Sequence, residues 1–182
     1  FFQAEDGIRD CLLSRGLGDV YKRQMMHRSK FLVIVDDTDE LETAVQFAAQ
    51  RASNTKGGLV LLSVIEYADT QQWKSVEDII HQEARAEAEK KLQEWSEIAF
   101  NISGQTPEIV IKEGVVSEEI INYINEDKKI RFLVLAASGE DNPGPLVSLL
   151  AGQRSGKLPI PTVVIPGGLT SEEIDDLASR AQ

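Results

Sequence analysis

Short, unbroken apolar runs alternate along this chain with longer stretches whose apolar positions recur every three to four residues. Phe31-Leu32-Val33-Ile34-Val35 is rich in β-branched residues and predicts a strand buried on both faces. Asp37-Thr38-Asp39-Glu40 follows with capping-box spacing, and Leu41, Val45, Ala48 and Ala49 then share one face of a helix reaching Asn54. Gly57-Gly58 breaks the chain before a second strand, Leu59 to Ile65. A loop carrying Tyr67 and Trp73 leads into a long helix from about Ser75 to Phe100, with Leu92, Trp95 and Phe100 expected against the sheet.

A third strand, Glu108 to Ile111, is short and flanked by charge, which suits a sheet edge. Ser117 is expected to cap the next helix, with Ile120, Ile121 and Ile124 turned inward. Phe132 to Ala136 predicts a fourth strand, Leu146 to Ala151 a short helical segment, and Thr162 to Ile165 a last strand between Pro161 and Pro166. Thr170 and Glu173 form a second capping box before a terminal acidic helix. Strands alternating with helices imply right-handed crossovers and a parallel sheet in three layers.

The first 24 residues break this order. They hold no sustained apolar period and no continuous apolar core, so they read as neither signal nor transit peptide. GIRD and GLGDVYKRQ resemble translated sequencing-adapter read-through, with Met25 and Met26 immediately after as natural starts; a disordered extension is the competing reading. Residues 25–182 are expected to form a single domain. Without the first 24 residues the chain keeps 26 acidic and 15 basic residues, so its net charge stays at −11. That balance argues against nucleic acid or an anionic membrane as partner, because phosphate contacts need Lys or Arg. No run approaches the roughly 18 apolar residues of a membrane span, and a cytoplasmic protein is expected.

Cys11 is the sole cysteine and falls in the anomalous segment, which excludes an internal disulfide or a cysteine-built zinc site. His27 and His81 are the only histidines; His81 sits among charges in the long helix, where a solvated imidazole is expected. Gly152-Gln-Arg-Ser-Gly156-Lys157 has three residues between its glycines and Leu158 in place of the Mg²⁺-binding hydroxyl, so it is not a P-loop.

In an open parallel sheet, ligands gather at the carboxyl ends of the strands where strand order reverses. Asp36, Asp37 and Thr38 after the first strand should meet Ser63 to Glu66 after the second and Ala137 to Pro145 after the fourth. A glycine-rich turn can aim backbone N–H groups at a phosphate, and a strand-tip carboxylate can accept a ribose hydroxyl; glycines and prolines also serve simply to turn a chain. Asp36 and Asp37 offer a Mg²⁺ pair on paper, although adjacent strand-end side chains point apart.

VIVDDTDE, LLSVIEY, EGVVSEEII, FLVLAASG and PIPTVVIP, in this order from Phe31 to Pro166, resemble the universal stress protein family. The resemblance implies a three-layer Rossmann-like α/β fold (adenine nucleotide alpha hydrolase-like) with a five-stranded parallel sheet ordered 3-2-1-4-5. Members that bind ATP carry G-x2-G-x9-G-[S/T]. Gly139 matches its first glycine, after Ser138, and Gly152 the third; Asn142 replaces the second glycine and Gln153 the hydroxyl, with the nine-residue spacing kept. Asp36, with Thr38 beside it, matches the aspartate that meets the adenosine moiety, and Val64 matches a residue lining the adenine.

The departures weaken an ATP site. Asn142 crowds the approach of a phosphate, and Glu140 and Asp141 would each repel a triphosphate by on the order of 1 kcal/mol. Restoring glycine at 142 and serine at 153 is expected to raise ATP affinity. The resemblance thus implies a non-enzymatic stress-response protein with a degenerate nucleotide loop, ATP or another adenine nucleotide as its candidate ligand, and a homodimer paired through Val163, Val164 and Ile165. The alternative is an ATP-hydrolysing or adenylyl-transferring enzyme of the same fold.

Overall fold

The computed structural model describes residues 29–66, 74–139 and 142–179, with side chains of the long helix described from Ile80 onward. Tyr67, Trp73, Glu140, Asp141, His27, Cys11 and the opening 24 residues lie outside these. The elements are β1 (Lys30–Ile34), α1 (Leu41–Asn54), β2 (Gly58–Ile65), α2 (Lys74–Ser103), β3 (Glu108–Glu113), α3 (Val116–Glu126), β4 (Ile130–Ala137), a π-helical segment (Val147–Gln153), β5 (Thr162–Pro166) and α4 (Ser171–Ser179). All sheet pairings are parallel, in the order β3-β2-β1-β4-β5. The expected fold is the observed one.

The period of two in the strands divides their side chains between two cores. Phe31, Val33, Leu59, Leu61 and Val134 face α1 and α2, where Val45, Ala48, Leu92 and Ala99 meet them. Leu32, Ile34, Val60, Leu62, Leu133 and Leu135 face α3 and the π-helical segment, against Ile120, Ile124 and Leu150. Phe31 and Phe132 stack with centroids 5.4 Å apart, locking β1 to β4 within the first core. At the far edge, Val163 and Ile165 pack into the first core, while Val164 stays partly exposed.

Four local expectations change. Phe100 is 48% exposed; the inner face of α2 runs through Ala88, Leu92, Ser96 and Ala99, with Trp95 packed against the same core, so Leu92 and Trp95 lie as expected and Phe100 does not. Ile121 gives way to Tyr123 in the inner row of α3. The box at Asp37 to Glu40 does not cap α1: Thr38 donates its hydroxyl to Asp36 Oδ1 at 2.7 Å, and Glu40, at the cap position, makes no side-chain cap bond. Nor does Ser117 cap α3. It is buried inside the first turn, and Glu66 Oε1, from the end of β2, accepts the Val116 N–H at 3.1 Å. The box at Thr170 forms as expected, with Glu173 accepting from the Thr170 N–H at 2.9 Å.

An ionic cluster fastens the amino ends of the strands. Lys30 Nζ donates to Asp127 at 2.7 Å and also to Glu108, which accepts from the Tyr123 hydroxyl at 3.2 Å. Partial burial pushes the Asp127 carboxyl up, but the Lys30 ammonium and the Lys129 backbone N–H outweigh it and hold the group below its usual range. Burial likewise favours the neutral amine of Lys30, yet Asp127 and Glu108 override it and raise its pKa. A carboxyl depressed on folding contributes stability that is complete above the unfolded value of about 3.9 and is lost as pH falls through the lower folded value. The raised Lys30 contribution is present below the ordinary lysine range and is lost only as pH climbs through its elevated value. Asp127→Asn is therefore expected to cost about 1.5–3 kcal/mol at neutral pH and to flatten the acid limb of a stability-against-pH curve from urea melts. An acid limb identical to that of the parent protein would show that the pair contributes nothing.

Candidate functional site

At the carboxyl ends of β1 and β2, a cleft of about 250 Å³ opens between the strand tips and the overlying α2. Its floor holds Asp36 and Val64; Ala88 and Lys91 of α2 form one wall, and Val116 and Leu146 the other. β1 ends at the register Ile34↔Leu62, β2 and β3 run on to Ile65↔Glu113, and the Gly114 N–H donates to Ile65 O, turning the chain toward the start of α3. This is the switch point, where β1 sends its next strand to one side and β4 lies on the other.

Asp36 is half-buried and shapes its own turn. Its Oδ1 accepts both the Thr38 N–H, at 3.3 Å, and the Thr38 hydroxyl. Such an Asx turn fixes the carboxylate at the strand tip. Asp37 points elsewhere: its Oδ1 meets Lys91 Nζ at 2.6 Å, and the same ammonium reaches Glu87 at 2.9 Å. Those hydrogen bonds, Asp37 first and Glu87 next, raise the Lys91 pKa. The two aspartates thus have different partners, in keeping with side chains that diverge, and no cluster suited to a metal ion occurs among the described residues.

On the other side of Asp36, toward β4, space is scarce. The recess bounded by Asp36, Thr38, Ala136 and Leu146 measures about 10 Å³, room for one water. Leu146, the first apolar residue after the glycine-containing loop, borders both spaces and separates them.

Of the residues expected at the site, Asp36 and Val64 line the cleft, and Thr38 lines the recess. Ser138, Gly139, Asn142, Gly152 and Gln153 are not among the residues lining either. The Ser138 N–H reaches Pro143 O at 3.4 Å, closing the loop on itself. Gly144 takes the left-handed conformation, with φ +93°. Asn142 Oδ1 accepts the Gly144 N–H at 3.3 Å, so this donor is spent within the loop.

Gly152 and Gln153 end the π-helical segment rather than begin a helix, and both are exposed. The Arg154 N–H bonds back to Leu149 O at 2.8 Å, and Gly152 O accepts from the Ser155 hydroxyl at 2.9 Å. This position offers the carbonyl end of a helix, where the backbone dipole disfavours an anion. Pro143, Pro145 and Gln153 are all exposed and do not fill the cleft.

Glu87, Lys91, Val116 and Leu146 border the cleft and were not among the expected site residues. The four-residue spacing of Glu87 and Lys91 signals a helical ion pair, but only the path of α2 over β2 shows that the pair overlooks the strand tips. A second groove of about 420 Å³, beside Phe100, Asn101 and Thr106, is larger but more open. It lies before β3 begins, away from the strand tips.

The universal stress protein family model matches residues 27–166. The chain belongs to that family. No curated protein matches it by sequence. Among solved structures, universal stress protein UspA from Lactobacillus plantarum is 20% identical, with a TM-score of 0.64 over 76% of this chain and 98% of that one. A universal stress protein in complex with cAMP is 16% identical, with a TM-score of 0.55 over 78% of this chain and 99% of the other. A universal stress protein family protein from Arabidopsis thaliana with AMP bound is 18% identical, with a TM-score of 0.53 over 80% and 94%. At these identities the likeness is one of fold. Among the described residues of this universal stress protein, no helix is long and apolar enough to cross a membrane.

Proposed function

We propose that this universal stress protein is a non-enzymatic, homodimeric stress-response protein that binds an adenine-containing ligand at the switch-point cleft. The observation that carries this reading is the meeting of Asp36 and Val64 in one cleft at the ends of β1 and β2. Val64, Val116 and Leu146 give it apolar walls suited to a flat base, and Asp36 gives it a fixed carboxylate for a sugar hydroxyl. Structures of the same fold hold cAMP and AMP, which supports an adenine compound as the class.

The loop Ser138-Gly139 to Asn142 and the pair Gly152-Gln153 form the degenerate part of the site. With Asn142 on the Gly144 amide, ATP binds weakly or not at all. Calorimetric titration with adenine compounds, combined with an assay for phosphate or pyrophosphate release, tests the proposal. Heat of binding without product is the expected result. Sustained turnover would replace this reading with the enzyme, and no binding by any adenine compound at millimolar concentration would remove the ligand.

The dimer rests on β5, which pairs with β4 on one side only and leaves Val164 38% exposed. An uncovered apolar edge strand invites antiparallel pairing with a second copy. Val163 and Ile165 pack into their own core, so Val164 is the side chain offered to the partner. Val164→Arg would bring like charges together across a two-fold axis. Light scattering after size exclusion should then fall from twice the 20.1 kDa chain mass to the chain mass itself. A variant that stays dimeric would place the interface elsewhere.

A further inference from the structure

On the footing of that adenine site, we propose that the cleft selects an uncharged adenine nucleoside over its phosphorylated forms. Charge is the first ground. Asp36, Asp37 and Glu87 border the cleft with three carboxylates against one ammonium, Lys91. That ammonium already carries hydrogen bonds to Asp37 and Glu87, so it has little positive field left for an incoming phosphate.

Space is the second ground. A ribose held at Asp36 has the roomy cleft on its α2 side and, toward β4, a recess of only about 10 Å³ closed by Leu146. Phosphates attached to that ribose cannot enter a volume the size of one water. They must turn toward the carboxylates of Asp37 and Glu87 or leave for solvent. Two of the expected backbone positions give no relief: the Gly144 N–H is taken by Asn142, and the Gly152-Gln153 corner presents carbonyls. Volume agrees with both grounds, since about 250 Å³ falls just below the 300–1,000 Å³ typical of pockets for larger ligands.

The test is calorimetry on the full chain with adenosine, AMP and ATP, at low and at high salt, repeated on the double variant Asp37→Asn with Glu87→Gln. Adenosine is expected to bind at least tenfold more tightly than ATP, with AMP between them. High salt screens repulsion and should narrow the gap. The double variant, which removes two charges and releases Lys91, should narrow it at least threefold; a thermal melt of each protein checks that the fold persists. ATP binding as tightly as adenosine, or a gap unmoved by both salt and the variant, would overturn the selectivity while leaving the adenine site standing. Failure of all three compounds to bind would instead take down the adenine site itself.

Discussion

Leu133→Ala should lower the stability of this protein by about 2–5 kcal/mol, a large part of the roughly 5–15 kcal/mol that holds an ordinary domain together. Leu133 is fully buried on β4, the strand between β1 and β5, and belongs to the core formed with α3 and the π-helical segment. Its neighbours include strand residues held by ladder hydrogen bonds on both sides, so collapse into the vacated volume is restricted and the cavity term persists. Urea unfolding measures this as a fall in midpoint at unchanged slope. Phe100→Ala is the companion experiment. A large apolar residue usually signals core, but with 48% of its surface exposed Phe100 should cost far less than Leu133. Equal losses would mean that burial does not rank these sites.

The second large effect concerns the ligand. Val64 lines the floor of the cleft near the end of β2 and is partly exposed to it. Val64→Trp adds an aromatic ring to a space of about 250 Å³, enough to occupy the place of the base. Adenosine affinity should fall at least about tenfold, a loss of about 1.4 kcal/mol. Because the new ring projects into open space, the thermal midpoint should stay near that of the parent. Undiminished affinity would mean that the base does not sit on Val64. A collapse of the midpoint would mean that the ring has been forced into the core, and Val64→Leu, a smaller addition, would then be measured for the same direction of effect.

The sheet was legible because its signal is redundant. Phe31 to Val35 and Phe132 to Ala136 are β-branched-rich runs that suit strands covered on both faces, and β1 and β4 are the central pair. Third-strand charges at Glu108, Lys112 and Glu113 marked an edge for the same reason: a covered strand has no solvent for them. The phase of α2 was less legible. Its inner stripe is built largely from Ala88, Leu92 and Ala99, and alanine carries almost no periodic signal against the larger Phe100.

Helix starts failed where a distant residue supplied the acceptor. Nothing near Ser117 announces that Glu66, across the sheet from another strand, will take the Val116 N–H. At Asp37 to Glu40 the carboxylate with cap spacing, Asp37, is likewise engaged by a residue far along the chain, the Lys91 ammonium of α2, and makes no cap bond to α1.

The candidate site divides in the same way. Asp36 and Val64 follow from strand-tip position alone. The loop did not, because spacing says nothing of hydrogen-bond pattern: nine residues still separate Asn142 from Gly152, yet a π-helical turn leaves Gly152 and Gln153 at the wrong end of a helix for phosphate. Leu146 escaped notice as one apolar residue after a loop. Its position decides how much room lies beside Asp36.

The most direct test of where ligand binds is a two-dimensional amide NMR titration of the full chain with adenosine. Resonances of Asp36, Asp37, Val64 and Val116 should move together with one saturation curve, joined by Leu146 on the same wall as Val116. Shifts confined to Phe100, Asn101 and Thr106 around the second groove, with the β1 and β2 tips unmoved, would contradict the site described for this universal stress protein.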